Sequence, residues 1–81
     1  MRALFVMVKC KLGKAYQVAE DIVDQIEETS EVHSVSGQYD LLVKFYIDEK
    51  EDVGRFICEK VQKLPNIQDT FTIQAYKAFT G

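Results

Sequence analysis

The order of strand-like and helix-like segments constrains the fold of this chain more than any other feature of its sequence. Four segments are rich in alternating, β-branched or aromatic residues, as strands are: 3–12, 32–36, 41–47 and 67–79. Apolar residues recur at helical spacing in residues 14–28, and again between Asp48, a candidate N-cap, and Pro65. The order β-α-β-β-α-β predicts an α+β fold, a ferredoxin-like sandwich in which two helices cover one face of a four-stranded antiparallel sheet.

A second apolar face is predicted on the same sheet. Strands of a two-layer sandwich are expected to be apolar on the helix-facing side and polar on the other side. The first and third strands instead carry large hydrophobic residues on both sides, and those opposite the aliphatic stripe are Phe5, Met7, Leu42 and Tyr46. Helices on one face cannot cover these side chains, so we expect a second copy of the chain to do so in a homodimer.

The size of the chain also favours association. A chain of 81 residues has room for one domain, whose own core is thin. Its longest apolar run, residues 3–8, is far shorter than the roughly 20 residues that a membrane helix needs. Lys9 and Lys11 follow that run at once, which is unlike a signal peptide. The sequence therefore predicts a cytoplasmic protein that makes no membrane contact.

The charge of the chain argues against nucleic acid as a direct partner. The net charge is −3, and the only cluster of cationic residues is Lys9, Lys11 and Lys14. Binding to duplex DNA depends on Lys and Arg side chains that neutralise phosphates. We therefore expect no direct nucleic-acid binding by this chain alone.

Few side chains are suited to catalysis. His33 is the only histidine, and neither Cys10 nor Cys58 has the spacing of a metal or disulfide motif, so no metal, cofactor or catalytic residue is predicted. Both thiols are expected to be buried or half-buried. Four carboxylates are expected on the solvated face of the first helix: Asp21, Asp24, Glu27 and Glu28. The chain is accordingly not expected to be an enzyme.

One segment resembles a known family. Residues 31–44 read E-V-H-S-V-S-G-Q-Y-D-L-L-V-K and resemble the E-V-x-x-x-x-G-x-Y-D segment of the Lrp/AsnC family of bacterial and archaeal transcription regulators. Residues 5–9 with Gly13 resemble the first strand and turn of that family. Residues 64–67 resemble its L-P-G-V, with Asn66 in place of Gly, and residues 70–72 resemble its T-x-T. The resemblance covers nearly the whole chain.

The resemblance implies a particular kind of module. Regulators of this family carry a helix-turn-helix DNA-binding domain ahead of their effector domain, and this sequence starts with the effector-domain strand. Residues 1–81 therefore resemble a stand-alone effector domain, or RAM domain. The resemblance implies an amino-acid effector, dimers formed through the sheets, and a ring of four dimers, an octamer, with the effector between dimers. A full-length Lrp/AsnC regulator is an implied partner.

A ligand site is predicted around the loop that carries the resemblance. A free amino acid presents an anion and a cation, so its pocket needs donors and an acceptor side by side. Gly37 permits close backbone approach to the carboxylate, and Asp40 offers an oxygen to the ammonium. Thr70 and Thr72 offer hydroxyls, and Tyr39 offers a ring to wall the pocket.

Other interpretations of the same residues remain open. Residues 37–40 also suit a plain hairpin connection, with positive φ at Gly37 and Asp40 bonded to its own backbone, and Thr70 and Thr72 also suit the solvent side of a strand. Two other classes of function are an oligomerisation module that needs no ligand and a small dimeric α+β-barrel enzyme. The enzyme would require a titratable cluster between paired sheets, for which His33 is the sole histidine.

Overall fold

The strands assemble into one antiparallel sheet that both helical segments cover from the same side. The computed structural model describes all residues, Met1–Gly81, and its elements in chain order are β1 (Arg2–Cys10), α1 (Ala15–Gln25), β2 (Thr29–Ser34), β3 (Leu41–Ile47), α2 (Val53–Phe56) with a π-helical continuation (Ile57–Val61), and β4 (Ile67–Gln74). The strand order is β2-β3-β1-β4, with every neighbouring pair antiparallel. The predicted ferredoxin-like architecture is confirmed.

The core lies between the sheet and the helices and is entirely apolar. The central strands β1 and β3 and the two helical segments supply most of the 15 buried residues, and none of the 15 is polar or charged. Phe45 of β3 meets Phe56 of α2 edge to face, with ring centres 5.1 Å apart. On α1, Val18 and Ile22 are fully buried, one turn apart on the face that the helical spacing predicts.

Two boundaries in the first half differ from those predicted. The first strand ends at Cys10 and not at residue 12, because the Lys11 amide donates to the Asn66 carbonyl and the chain then turns through Gly13, whose φ is +76°. The first helix ends at Gln25, so Glu27 and Glu28 lie beyond it and not on its polar face. Ile26 takes an extended backbone there but remains buried.

The second strand begins earlier than predicted. Residues 29–31 were expected to break the chain between helix and strand, whereas Thr29 already pairs with Phe45 of β3. The strand also ends at Ser34 and not at residue 36. Thr and Ser suit both turns and strands, and the tertiary pairing with β3 decides between them here.

The second helix is capped by a different residue from the one predicted. The Asp52 carboxylate accepts from the Arg55 amide at 3.0 Å, whereas Asp48 accepts from the Lys50 amide in the preceding turn. The helix widens into its π-helical continuation, Ile57–Val61, and ends before Pro65. Asn66 then adopts φ +70°, the left-handed conformation that Asn tolerates in place of Gly.

The last strand is shorter than predicted and ends at Gln74. Gln74 pairs with Leu4 of β1, and the final contact is a 3.4 Å hydrogen bond from the Ala75 amide to the Ala3 carbonyl. Residues 75–81 form no further strand pairs, although the alternation in the sequence continues to Phe79. Tyr76 and Phe79 project from this segment and are exposed.

Candidate functional site

The sheet face away from the helices is apolar across three strands, and we call it the open face. It is formed by Phe5, Met7, Leu42, Tyr46, Phe71 and Ile73. The register places Met7 beside both Leu42 and Phe71, and this confirms the predicted second apolar face. Phe71 is 53% and Ile73 43% exposed. Both were missed at the sequence level, because alternation separates two sets of side chains in β4 without telling which set faces the helices.

A lysine lies in the middle of the open face. The Lys44 ammonium is 4.9 Å from the ring centre of Tyr46 and 5.8 Å from that of Phe5. Tyr46 and, more weakly, Glu31 on the neighbouring strand raise the pKa of Lys44. The open face therefore combines a large apolar area with one cation held against aromatic rings.

The loop between β2 and β3 lies at one end of the open face. It is closed by a hydrogen bond from the Val35 amide to the Asp40 carbonyl, at 2.9 Å, and is tied to β1 by another from the Asp40 amide to the Val8 carbonyl. Gly37 has φ +112°, a conformation that side chains oppose, so the loop requires glycine there. The expectation of a positive φ at this position is confirmed.

Asp40 is bonded to a different strand and not to its own loop. One carboxylate oxygen, Oδ2, accepts from the Cys10 amide at 2.7 Å. That bond fixes the orientation of the side chain and leaves its other oxygen without a partner in the chain. Burial and then the nearby Asp40 charge raise the pKa of the Cys10 thiol.

Tyr39 forms the wall between this loop and the open face. Its ring stacks on Phe71, with ring centres 6.3 Å apart and planes inclined by 27°. A cavity of about 410 Å³ beside this pair is also lined by Met7, Ser36 and Gln38. The loop therefore offers backbone groups, one oriented carboxylate and an aromatic wall in one place.

Thr70 and Thr72 lie on the other side of the sheet. They pair with Val8 and Val6 of β1, whose side chains are buried under the helices. Both threonines are half-buried on that side, where the Gln62 side-chain amide donates to Thr70 Oγ1 at 2.9 Å. The structure thus brings Gly37, Tyr39 and Asp40 together but separates them from the two threonines by the sheet.

The threonines line a groove of about 640 Å³ between β4 and the π-helical segment. One wall is polar and includes Gln62 and Gln74 in addition to the threonines, and the other includes Val53 and Ile57. Sequence reasoning missed both glutamines. The only signal for Gln74 was its place in the same alternating set as Thr70 and Thr72, and Gln62 had none.

The remaining chemically interesting residues are scattered. Cys10 is buried, but Cys58 is exposed among the residues that line the groove beside β4, which corrects the expectation that both thiols would be at least half-buried. His33 is exposed on β2, 2.9 Å from a Glu31 carboxylate oxygen. No three His, Cys, Asp or Glu side chains come close enough to hold a metal ion. None of the helices has the length and apolar character that crossing a membrane demands.

Comparison with known proteins places this fold and loop in one family. The family model for the Lrp/AsnC ligand binding domain matches residues 3–80. The HTH-type transcriptional regulator FL11 of Pyrococcus abyssi is 32% identical over 73 residues, which are 90% of this chain and 47% of that regulator. The chain thus spans about half the length of the curated relatives that it matches.

Solved structures agree with this assignment. FFRP-DM1 superposes with a TM-score of 0.85 at 37% identity, over 94% of this chain and 100% of its own. The transcriptional regulator NMB0573 of Neisseria meningitidis, solved with L-Met, superposes with a TM-score of 0.82 over 99% of this chain and 53% of its own, and its 15% identity shows the fold alone. The chain, with its β-α-β-β-α-β sandwich and its G-x-Y-D loop, belongs to the Lrp/AsnC ligand-binding domain family.

Proposed function

We propose that residues 1–81 act as a single regulatory module that binds a free amino acid between copies of itself and is not an enzyme. One observation carries the proposal: the residues expected to bind the ligand form two groups on opposite sides of one sheet. A single amino acid cannot touch both groups in one copy. A site that uses both groups must therefore combine the loop of one copy with the threonines of another.

The open face supports the assembly that such a site needs. Apolar side chains from β1, β3 and β4 form one continuous surface that the helices do not cover. Large exposed apolar patches mark association sites in proteins. We propose a homodimer with paired open faces, and further association of dimers, up to an octamer, that brings Thr70 and Thr72 of one dimer to the loop of the next.

The loop supports the recognition of an amino-acid backbone. Glycine at residue 37 leaves the peptide groups of the loop open to an approaching carboxylate, since no atom lies within 4 Å of the position that a Cβ would occupy. Asp40 is anchored by Cys10 through one oxygen, so the other can accept from the ammonium without a change of side-chain orientation. The family neighbour solved with L-Met shows that this fold accommodates an amino acid in that protein.

Regulation then follows from the placement of the ligand. An effector that touches two dimers favours the assembly in which they meet, and it can shift the equilibrium only by its difference in affinity for the two states. We propose that the output is the oligomeric state, or mixed assembly with a full-length Lrp/AsnC regulator in the cytoplasm. The net charge of −3 supports an indirect role, in which the regulator and not this chain contacts DNA.

Native mass spectrometry tests this function. The chain is measured alone and with each of the twenty amino acids at millimolar concentration, and we expect a bound series and a shift in oligomer distribution with one or a few of them. An oligomer that is unchanged and carries no adduct would support assembly without a ligand and overturn the sensor.

A pair of isosteric variants tests the role of Asp40. Asp40→Asn retains an oxygen to accept from the Cys10 amide but loses the charge that attracts the ammonium, so we expect affinity to fall by about tenfold to a hundredfold. Asp24→Asn removes an exposed carboxylate on α1 and should leave affinity unchanged. Equal affinities of the two variants would remove Asp40 from the site.

A further inference from the structure

The groove between β4 and the π-helical segment has walls that favour one class of ligand. On the helix side of the sheet, residues 4, 6 and 8 of β1 and every helix-facing residue of β3 present buried aliphatic or aromatic side chains, whereas β4 presents Thr70, Thr72 and Gln74. The second helix does not seal this edge of the sheet, and about 640 Å³ remains open beside it. That volume lies within the range of ordinary ligand sites, about 300–1,000 Å³.

The groove can bind through hydrogen bonds but not through charge. Its lining contains no Asp, Glu, Lys, Arg or His side chain. A charged group placed there would lose its hydration without gaining a counter-ion. Ligands with a carboxylate, ammonium or guanidinium group at this position are therefore disfavoured.

The polar wall has both hydrogen-bond donors and hydrogen-bond acceptors that lack a partner in the chain. Gln62 donates to Thr70, so the Thr70 hydroxyl can still donate and the Gln62 side-chain oxygen can still accept. Within the chain no hydrogen bond engages the side chains of Thr72 or Gln74. A purely apolar ligand would cover these groups and leave them unpaired, which costs free energy. A carboxamide or hydroxyl group would instead pair with donors and acceptors together.

We infer that Gln62 and Gln74 determine specificity, and that the groove receives the uncharged, hydrogen-bonding side chain of the effector. This inference rests on the proposed function, because the Gly37–Asp40 loop of another copy holds the ammonium and carboxylate of the same molecule. The amide series, with asparagine and glutamine as its simplest members, fits the wall best, followed by the hydroxyl series of serine and threonine. The apolar wall with Val53 and Ile57 packs against the methylene part of such a side chain.

The decisive experiment changes the charge of the groove. Gln74→Glu adds a carboxylate with almost no change of shape, so we expect affinity for the neutral effector to fall about tenfold or more and affinity for lysine or arginine to rise. Gln62→Glu should shift the preference in the same direction and serves as a second variant if the first does not fold. Gln17→Glu makes the same chemical change on the exposed face of α1 and is the matched control. Affinities come from titration calorimetry across neutral, acidic, basic and apolar amino acids, with circular dichroism to verify folding.

Each outcome separates the inference from the function on which it rests. A wild-type chain that prefers a charged or purely apolar amino acid overturns the inference and leaves the sensor intact. The same conclusion follows if the groove variants behave like Gln17→Glu. A wild-type chain that binds no amino acid overturns both.

Discussion

The two faces of the sheet carry similar apolar residues but differ in how deeply those residues are buried. Phe45 and Phe71 are both strand phenylalanines; Phe45 is completely buried under α2, whereas Phe71 on the open face is 53% exposed. The difference lies in the cover and not in the side chain, because both helical segments pack on the same side. The chain therefore covers one of its two apolar layers with its own helices, and under the proposed function a second copy covers the other.

The faces also differ in how they treat charge. The helix side has no buried polar or charged residue, as expected of a layer that never opens in the folded state. The open face keeps Lys44 against the rings of Phe5 and Tyr46. A charge that would be costly in a core is tolerated on a surface exposed to water. This contrast fits the proposed function, in which the open face is covered only on assembly.

The largest expected effect is the difference in stability between alanine variants of Phe45 and Phe71. Phe45→Ala leaves a cavity beside Phe56 and should lower the free energy of unfolding by about 3–5 kcal/mol at any protein concentration. Phe71→Ala removes a half-exposed ring, so its effect should be small for the monomer and should grow with protein concentration as association contributes. Denaturant titrations at several concentrations measure both. Equal losses independent of concentration would mean that the open face needs no partner.

A charge on the open face should act on assembly more than on folding. Ile73→Asp places a carboxylate beside Phe5 on the open face, and we expect the oligomer to dissociate into folded monomers. Val23→Asp, at an apolar residue of α1 that is 58% exposed against 43% for Ile73, is the matched control and should leave the oligomer intact. Sedimentation velocity distinguishes the species. An intact oligomer with Asp at residue 73 would place the interface elsewhere.

The comparison of faces also shows where sequence reasoning succeeds. Periodicity places β3 at Leu41–Ile47, the same bounds as the structure, because a central strand with aliphatic residues at every second position has one stable register. The boundary errors occur where tertiary partners decide. Thr29 becomes a strand residue by pairing with Phe45, and β4 ends at Gln74, the last of its residues to pair with β1.

The candidate site was predictable only where local sequence, and not tertiary packing, determines the structure. The loop around Gly37 follows from local chemistry, since a positive φ and a short connection leave a strong mark on sequence. The side on which Thr70 and Thr72 lie depends on which layer the second helix covers. A rule that turns the apolar set toward the helices would put Phe71 and Ile73 inside, and it fails because β4 is an edge strand beside an open groove.

The smallest expected effect concerns the two cysteines, one buried and one exposed, and appears in the pH dependence of stability. Burial, and then the charge of Asp40, raises the pKa of the Cys10 thiol in the folded state. Above the ordinary thiol pKa of about 8.5 the unfolded chain releases this proton while the folded chain still holds it, so stability falls as the pH rises through that range. Cys10→Ala should remove this contribution to the alkaline slope, measured by denaturant titrations between pH 7 and 10.

The matched variant is Cys58→Ala, which removes an exposed thiol. Its stability should change with pH as the wild type does, because the substitution leaves Cys10 and its surroundings unchanged. Asp40→Asn should flatten the slope only in part, since burial, the larger cause, remains. If all three variants kept the wild-type slope, the proton on Cys10 would contribute nothing to folding, and the end of β1 would be open to water although Cys10 faces the core.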